Sequence, residues 1–277
     1  MTGAIDGASE RRVCQVLGVS RSSVRYVGRD RGGHPKIDED LAGLVRLLIN
    51  RHPTYGYRML WAVLRHTYGV WVNRKKVYRI LKLKNWFVHQ RQKTPRPRAQ
   101  RLRSAASRSN ERWAMDLTHV PCGRDGWAHL VGVIDCHDRE LVGWEFALRG
   151  RAREAERALE AACIKRFGIV RIAAGGPTIR SDNGLIFQSK RFRAACRFYR
   201  LGQEFITPYT PEQNGLIERF FRTLKEECVW QHQFESFEHA RRVITQWITW
   251  YNQGRPHQSL GYLSPARFRA QQGLLVA

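Results

Sequence analysis

From residue 111 onward the apolar positions switch between two periods. The runs RWAMDLTHV, WAHLVGVIDCHD and LVGWEFAL read as three successive strands, with tight turns near Gly123–Gly126 and Asp138–Glu140. Residues 152–167 then place Ala155, Ala158, Leu159, Ala162 and Cys163 at helical spacing. TIRSD reads as a short strand, 189–200 as a helix, GQEFITP as a strand, 211–228 as a long helix and 236–251 as a last helix before the tail RPHQSLGYLSPARF. Three meandering strands followed by βα units predict an α/β fold: a mixed five-stranded sheet with helices on its faces.

The first ninety residues are helical in pattern. Residues 11–26 read as helix, turn and helix, broken at Gly18 and capped by Ser20; a helix-turn-helix and a plain pair of surface helices fit equally. Ile37 to Ile49 forms an amphipathic helix with acids Asp38–Asp40 in its first turn. Pro53 is expected to start a second helix carrying Tyr57, Leu60, Trp61 and Leu64. Asn73 is expected to cap a third, with Val77, Ile80 and Leu81 on one face. The expected organisation is a short helix-turn-helix-like segment (1–30), an all-α helix-turn-helix-like domain (34–90), a linker (91–110), an α/β core (111–230) and a C-terminal helix and tail (231–277).

Charge changes the picture. The formal net charge is +24, which calls for a polyanionic partner, nucleic acid above all. Residues 1–110 hold 24 Lys and Arg against 6 Asp and Glu; the remainder holds the same number of cations against 18 acids. The basic half is therefore the expected docking surface. Arg74, Lys75, Lys76, Arg79, Lys82 and Lys84 cover the polar surface of the third helix, with no acid between 73 and 84. Arg96, Arg98, Arg101 and Arg103 sit in the Pro-containing linker and are expected to track phosphates, as a strap or a hinge. No apolar run approaches the ~20 residues that span a bilayer and no signal-peptide core follows Met1, so a cytoplasmic protein is expected. The six cysteines are scattered without a C-x-x-C pair, which reads as buried reduced thiols.

Three carboxylates carry candidate chemistry. Asp116 lies inside the first core strand, Asp182 follows a strand and precedes Asn183–Gly184, and Glu218 lies on a helix whose same face holds Arg222 and Lys225. Converging carboxylates repel one another and favour a divalent cation; two Mg²⁺ ions ~3.5–4 Å apart suit in-line displacement at phosphorus. Each element alone has a bland alternative: a satisfied strand Asp, a common Asp–Asn–Gly turn, a common Glu–x–x–x–Arg pair. Thr118 and Asn183 are expected to line the pocket, His119 to be structural, and Asp135 and Asp138 to be turn residues.

The segments WAMDLTHV, SDNG, TPYTPEQNGLIERFFRTLKEE and YNQGRPHQSLGYLSP resemble the signature of insertion-sequence transposases with a retroviral-integrase-type core, and 35 residues separate Asp182 from Glu218, as in that superfamily. The upstream PTYGYRMLWAVLRHTYGVWVNRKKVYRILK resembles the domain preceding the core in the second-frame (OrfB) product of the insertion sequence three family. The resemblance implies an RNase H-like core. It implies Asp116, Asp182 and Glu218 as a metal-binding catalytic triad holding Mg²⁺, with Mn²⁺ as a substitute, and Lys225 as a contact to terminal DNA. It implies 3′-end hydrolysis followed by 3′-OH attack on another phosphodiester, on double-stranded element ends and target DNA. It also implies a homo-oligomer on DNA and a first-frame (OrfA) partner or fusion. The competing readings are a non-catalytic DNA-binding regulator from a decayed element and a plain nuclease of the same fold.

Overall fold

A computed structural model describes residues 9–25, 37–88, 106–168, 172, 175–207 and 211–276. The four linker arginines Arg96, Arg98, Arg101 and Arg103 lie outside the described residues. The chain divides into two compact units, Met1–Asp40 and Leu41–Ala277.

The first unit holds α1 (Glu10–Val16) and α2 (Arg21–Val24). Gly18 turns between them at φ 62°, and the Ser20 hydroxyl accepts from Ser23 N–H at 3.1 Å, the expected cap. Arg25 pairs with Glu10 at 2.5 Å.

The next helices are α3 (Glu39–Arg51), α4 (Tyr57–His66) and α5 (Arg74–Leu83). The Asn73 side chain caps α5 by accepting from Lys75 N–H at 2.8 Å. One expected boundary is displaced: α4 begins at Tyr57, not Pro53. Gly56 is its N-cap, and Tyr55 is held outside the helix, 3% exposed. α5 buries Val77, Ile80 and Leu81 and leaves Arg74, Lys75 and Arg79 exposed, so its apolar stripe and cationic surface separate as the pattern predicts.

The core follows as β1 (Arg112–Pro121), β2 (Trp127–Asp135), β3 (Leu141–Ala147), α6 (Ala152–Phe167), β4 (Thr178–Ser181), α7 (Leu185–Gln188), α8 (Lys190–Tyr199), β5 (Gly202–Phe205), α9 (Gly215–Glu227), α10 (Phe237–Gln253) and α11 (Pro265–Val276). The five strands form one sheet in the order β3-β2-β1-β4-β5. β1, β2 and β3 are antiparallel neighbours; β4 and β5 run parallel to β1. This is the RNase H-like arrangement. Side chains alternate along β1. Trp113 and Met115 face a core shared with α6 and α8, while Ala114 and Val120 face a core shared with α9 and α10. Two helices escape the sequence pattern: α7, a single turn, and α11, in the tail.

Asp135 ends β2 and Asp138 lies in the turn that follows, as expected. Both are fully buried. Arg166 from α6 reaches into them, donating to the two Asp138 oxygens at 3.0 and 2.8 Å and lying 3.1 Å from Glu140. Asp135 accepts from the backbone N–H of Asn110 (2.7 Å) and from the Trp113 indole (3.2 Å). Burial, then the neighbouring Asp138, raises the Asp135 pKa. The arrangement anchors the chain where it enters β1, since Ser109 also donates to Asp138 at 2.7 Å.

Candidate active site

Asp116 lies on β1 two residues after Ala114, so it points to the α9 side of the sheet. Its partner across β2 is Gly132. A Cβ on Gly132 would sit 3.3 Å from Phe221 and from Leu141, so the missing side chain lets α9 lie close over this part of the sheet. β1 and β4 pair through Ala114–Arg180 and then part. Asp182 stands two residues beyond that last pair, at the level of Asp116, where parallel strands diverge and ligands bind in open sheets. Its Oδ1 accepts from Gly184 N–H at 3.0 Å, the turn that Asp–Asn–Gly predicts.

Glu218 projects from the first turn of α9, exposed at the flank of the stripe of buried Ile217, Phe220, Phe221 and Leu224. Three residues that the sequence reading missed set the start of this helix. The Asn214 amide, buried at the N-cap, donates to Met115 O at 3.4 Å beside Asp116. Arg180 donates to Gln213 O at 3.3 Å and to Glu204 at 2.8 Å. Gln213 in turn binds Thr207, accepting from its N–H at 2.8 Å. The only sequence signal for Gln213 and Asn214 is the EQN of the motif, read as flanking residues of a glutamate; Arg180 lies in the strand TIRSD and carries none.

The electrostatics tie the three acids together. Burial, followed by the nearby Asp182 and Glu218 carboxylates, pushes the Asp116 pKa up to about 7, against the lowering effect of the Leu117 N–H that its Oδ1 accepts at 2.7 Å. Among the described residues, no three His, Cys, Asp or Glu side chains are drawn into a closed metal cage. The donors are all carboxylate oxygens, the set that suits a hard divalent cation.

That elevation has a consequence for the metal-free protein. A carboxyl with a folded pKa above its unfolded value holds its proton more tightly when folded. Its contribution to stability is complete below about pH 4 and is lost as pH rises through about 7. In EDTA, wild-type protein should lose about 1–3 kcal/mol between pH 4 and 8, and Asp116→Asn should lack that part of the slope. Denaturant midpoints across the range measure it; identical slopes in both proteins would clear Asp116 as the cause.

The other expected residues are placed as follows. Arg222 is exposed and paired with Glu226 at 2.9 Å, and Lys225 is half-buried one turn on. Thr118 is buried. The Asn183 amide is exposed and donates to Ile206 O at 2.9 Å, closing the loop after β4. The exposed His119 packs edge-to-face on His129 at 4.7 Å, a structural contact. His257 is buried against Tyr251, ring centroids 4.8 Å apart, and burial drops its pKa to about 3. All six cysteines are free and buried, as expected.

Comparisons with known proteins give the family. Residues 106–211 and 199–265 match models of the integrase core domain, and residues 36–94 match a helix-turn-helix-like domain. A protein of insertion element IS476 from Xanthomonas euvesicatoria is 33% identical over 95% of this chain and 72% of its own length. The transposase InsD of insertion element IS2 from Escherichia coli is 27% identical over 94% of this chain and 90% of its own. Among solved structures, a chain of the simian T-cell lymphotropic virus intasome aligns with 81% of this chain and 73% of its own at 17% identity, with a TM-score of 0.48. The chain belongs to the insertion-element transposases that carry an integrase core behind a helix-turn-helix-like domain.

Proposed function

We propose that the protein cleaves and joins DNA strands at the ends of its insertion element, with Asp116, Asp182 and Glu218 as the metal-binding catalytic triad. The observation that carries this reading is convergence: Asp116 on β1 and Asp182 at the end of β4 stand level where the strands part, and Asp116, raised first by its burial, also feels the carboxylates of Asp182 and of Glu218 on α9. Two divalent ions held by these oxygens, Mg²⁺ or Mn²⁺, would activate the attacking oxygen and stabilise the leaving one, first at the 3′ end of the element and then in strand transfer.

The chain's own residues supply the rest. The Leu117 and Gly184 N–H groups hold one oxygen each of Asp116 and Asp182, leaving the second oxygen of each for a ligand. Lys225 and Arg222, on the helix of Glu218, hold the phosphate backbone across the site. On α5, Arg74, Lys75, Lys76 and Arg79 dock on duplex DNA, and Arg96, Arg98, Arg101 and Arg103 track its phosphates. Paired element ends call for a homo-oligomer on DNA, with a first-frame partner or fusion adding further contacts. No helix among the described residues is long and apolar enough to cross a membrane, and a cytoplasmic, nucleoid-associated site of action suits the DNA substrate.

The direct test is incubation of the protein with duplexes of the element's ends and Mg²⁺, mapping cut and joined strands. Binding itself should follow counterion release: affinity should fall steeply with salt, and each α5 cation replaced by alanine should reduce the slope of log K against log salt by about 1. A flat salt response would remove the phosphate-tracking role from both α5 and the linker.

A further inference from the structure

Two motif segments, one before the core and one after it, take no part in the site described above. PTYGYR precedes α4, and YNQGRPHQSLGYLSP follows α10. The structure brings them together in three successive contacts along α4. At the first, Arg255 donates two hydrogen bonds to Glu227, at 2.8 and 2.6 Å, with both side chains largely buried. Tyr55 donates its hydroxyl to the same carboxylate at 3.4 Å and accepts from the Trp250 indole at 3.3 Å. His52 stacks between Tyr55 and Trp250, at centroid separations of 4.6 and 5.1 Å. At the second, Tyr262 meets Trp61 edge-to-face at 5.5 Å. At the third, Arg267 donates to His66 O.

Local backbone serves these contacts. A Cβ on Gly254 would lie 2.1 Å from the Trp250 ring, so the glycine leaves the indole its place. Tyr262 is held at φ 69°, a left-handed conformation unfavourable for a residue with a side chain. Glu227 ends α9, nine residues after Glu218, so helix geometry sets them about 13 Å apart along one rigid rod.

We infer that Tyr55, Glu227 and Arg255 are positioning residues: together with Trp250, Tyr262 and Arg267 they clamp α4, and the cationic α5 packed on it, at a fixed distance from Glu218. The clamp thereby sets how many base pairs separate the DNA that α5 grips from the phosphodiester that is cut. This spacing role rests on the strand-cleavage reading given above; the clamp itself does not.

Hydrogen exchange on the full chain without DNA tests the clamp. Arg255→Ala leaves Glu227 buried and unpaired, and amides of α3–α5 should lose protection on the order of a hundredfold or more while β1–β2 amides keep theirs. Tyr55→Phe removes one hydroxyl and should give a several-fold loss confined to the same helices; it decides the matter if Arg255→Ala does not fold. Uniform loss across helices and sheet, or no local loss, overturns the clamp. On element-end duplexes with Mg²⁺, Tyr55→Phe should spread cutting over neighbouring phosphodiesters while the footprint stays in place. A single unchanged cut position overturns the spacing role. If the wild type cuts nothing, the cleavage reading and the spacing role fall together, and exchange alone decides the clamp.

Discussion

Asp116→Asn should leave the protein folded and bound to DNA and reduce strand cleavage on the order of a thousandfold or more. The substitution keeps the shape of the side chain and its oxygen acceptor for Leu117 N–H, but removes a negative charge from the proposed metal site. Metal assistance contributes several kcal/mol to phosphoryl chemistry, and each 1.4 kcal/mol or so is a factor of ten in rate. The cations of α5 are untouched, so affinity for duplex ends should change little. Cleavage assays and electrophoretic binding run side by side separate the two quantities. Near-wild-type cutting by the variant would sink the triad. Wild-type binding without cutting would favour a DNA-binding regulator, and cutting without joining a nuclease.

The largest loss of stability should follow Arg166→Met. The Arg166 side chain is fully buried among Asp135, Asp138 and Glu140; Glu140 also has Lys165 at 2.7 Å, so removing Arg166 strands Asp138 above all, without its cation and beside the buried Asp135. Breaking a buried pair from one side costs about 3–5 kcal/mol, roughly 10 °C in melting temperature for a domain of this size. Lower pH should return part of that loss, because a stranded buried carboxyl gains stability by taking up a proton. A packing defect would cost the same at pH 5 and pH 8, so denaturant midpoints at the two values distinguish charge from shape.

Much of this fold is written in local patterns. β1, β2 and β3 are visible as short apolar runs bounded by turns, buried on both faces, α6 as an apolar stripe at helical spacing, and Asn73 and Ser20 announce helix starts through short side-chain oxygens. Asp182 is legible because Asp–Asn–Gly names its own turn. What local pattern cannot carry is pairing between distant segments. Tyr55 looks like a helix residue until Glu227 and Trp250, far along the chain, hold it outside α4. Asp135 and Asp138 look like turn acids until Arg166 arrives from α6. Asn214 and Gln213 look like spacers because the bonds that orient Glu218 run to β1 and to Thr207. α11 is missed because its composition lacks an apolar stripe.

The burial of every cysteine has a practical reach. Burial holds the Cys163, Cys196 and Cys228 thiols up to about 12, far from the thiolate that alkylating dyes require. A cysteine introduced on an exposed face, at Lys190, would then be the one fast-reacting handle on an otherwise native chain. Fluorophores could be attached in pairs without first stripping the molecule of its own sulfur, and the movement of DNA against the core followed in solution one complex at a time.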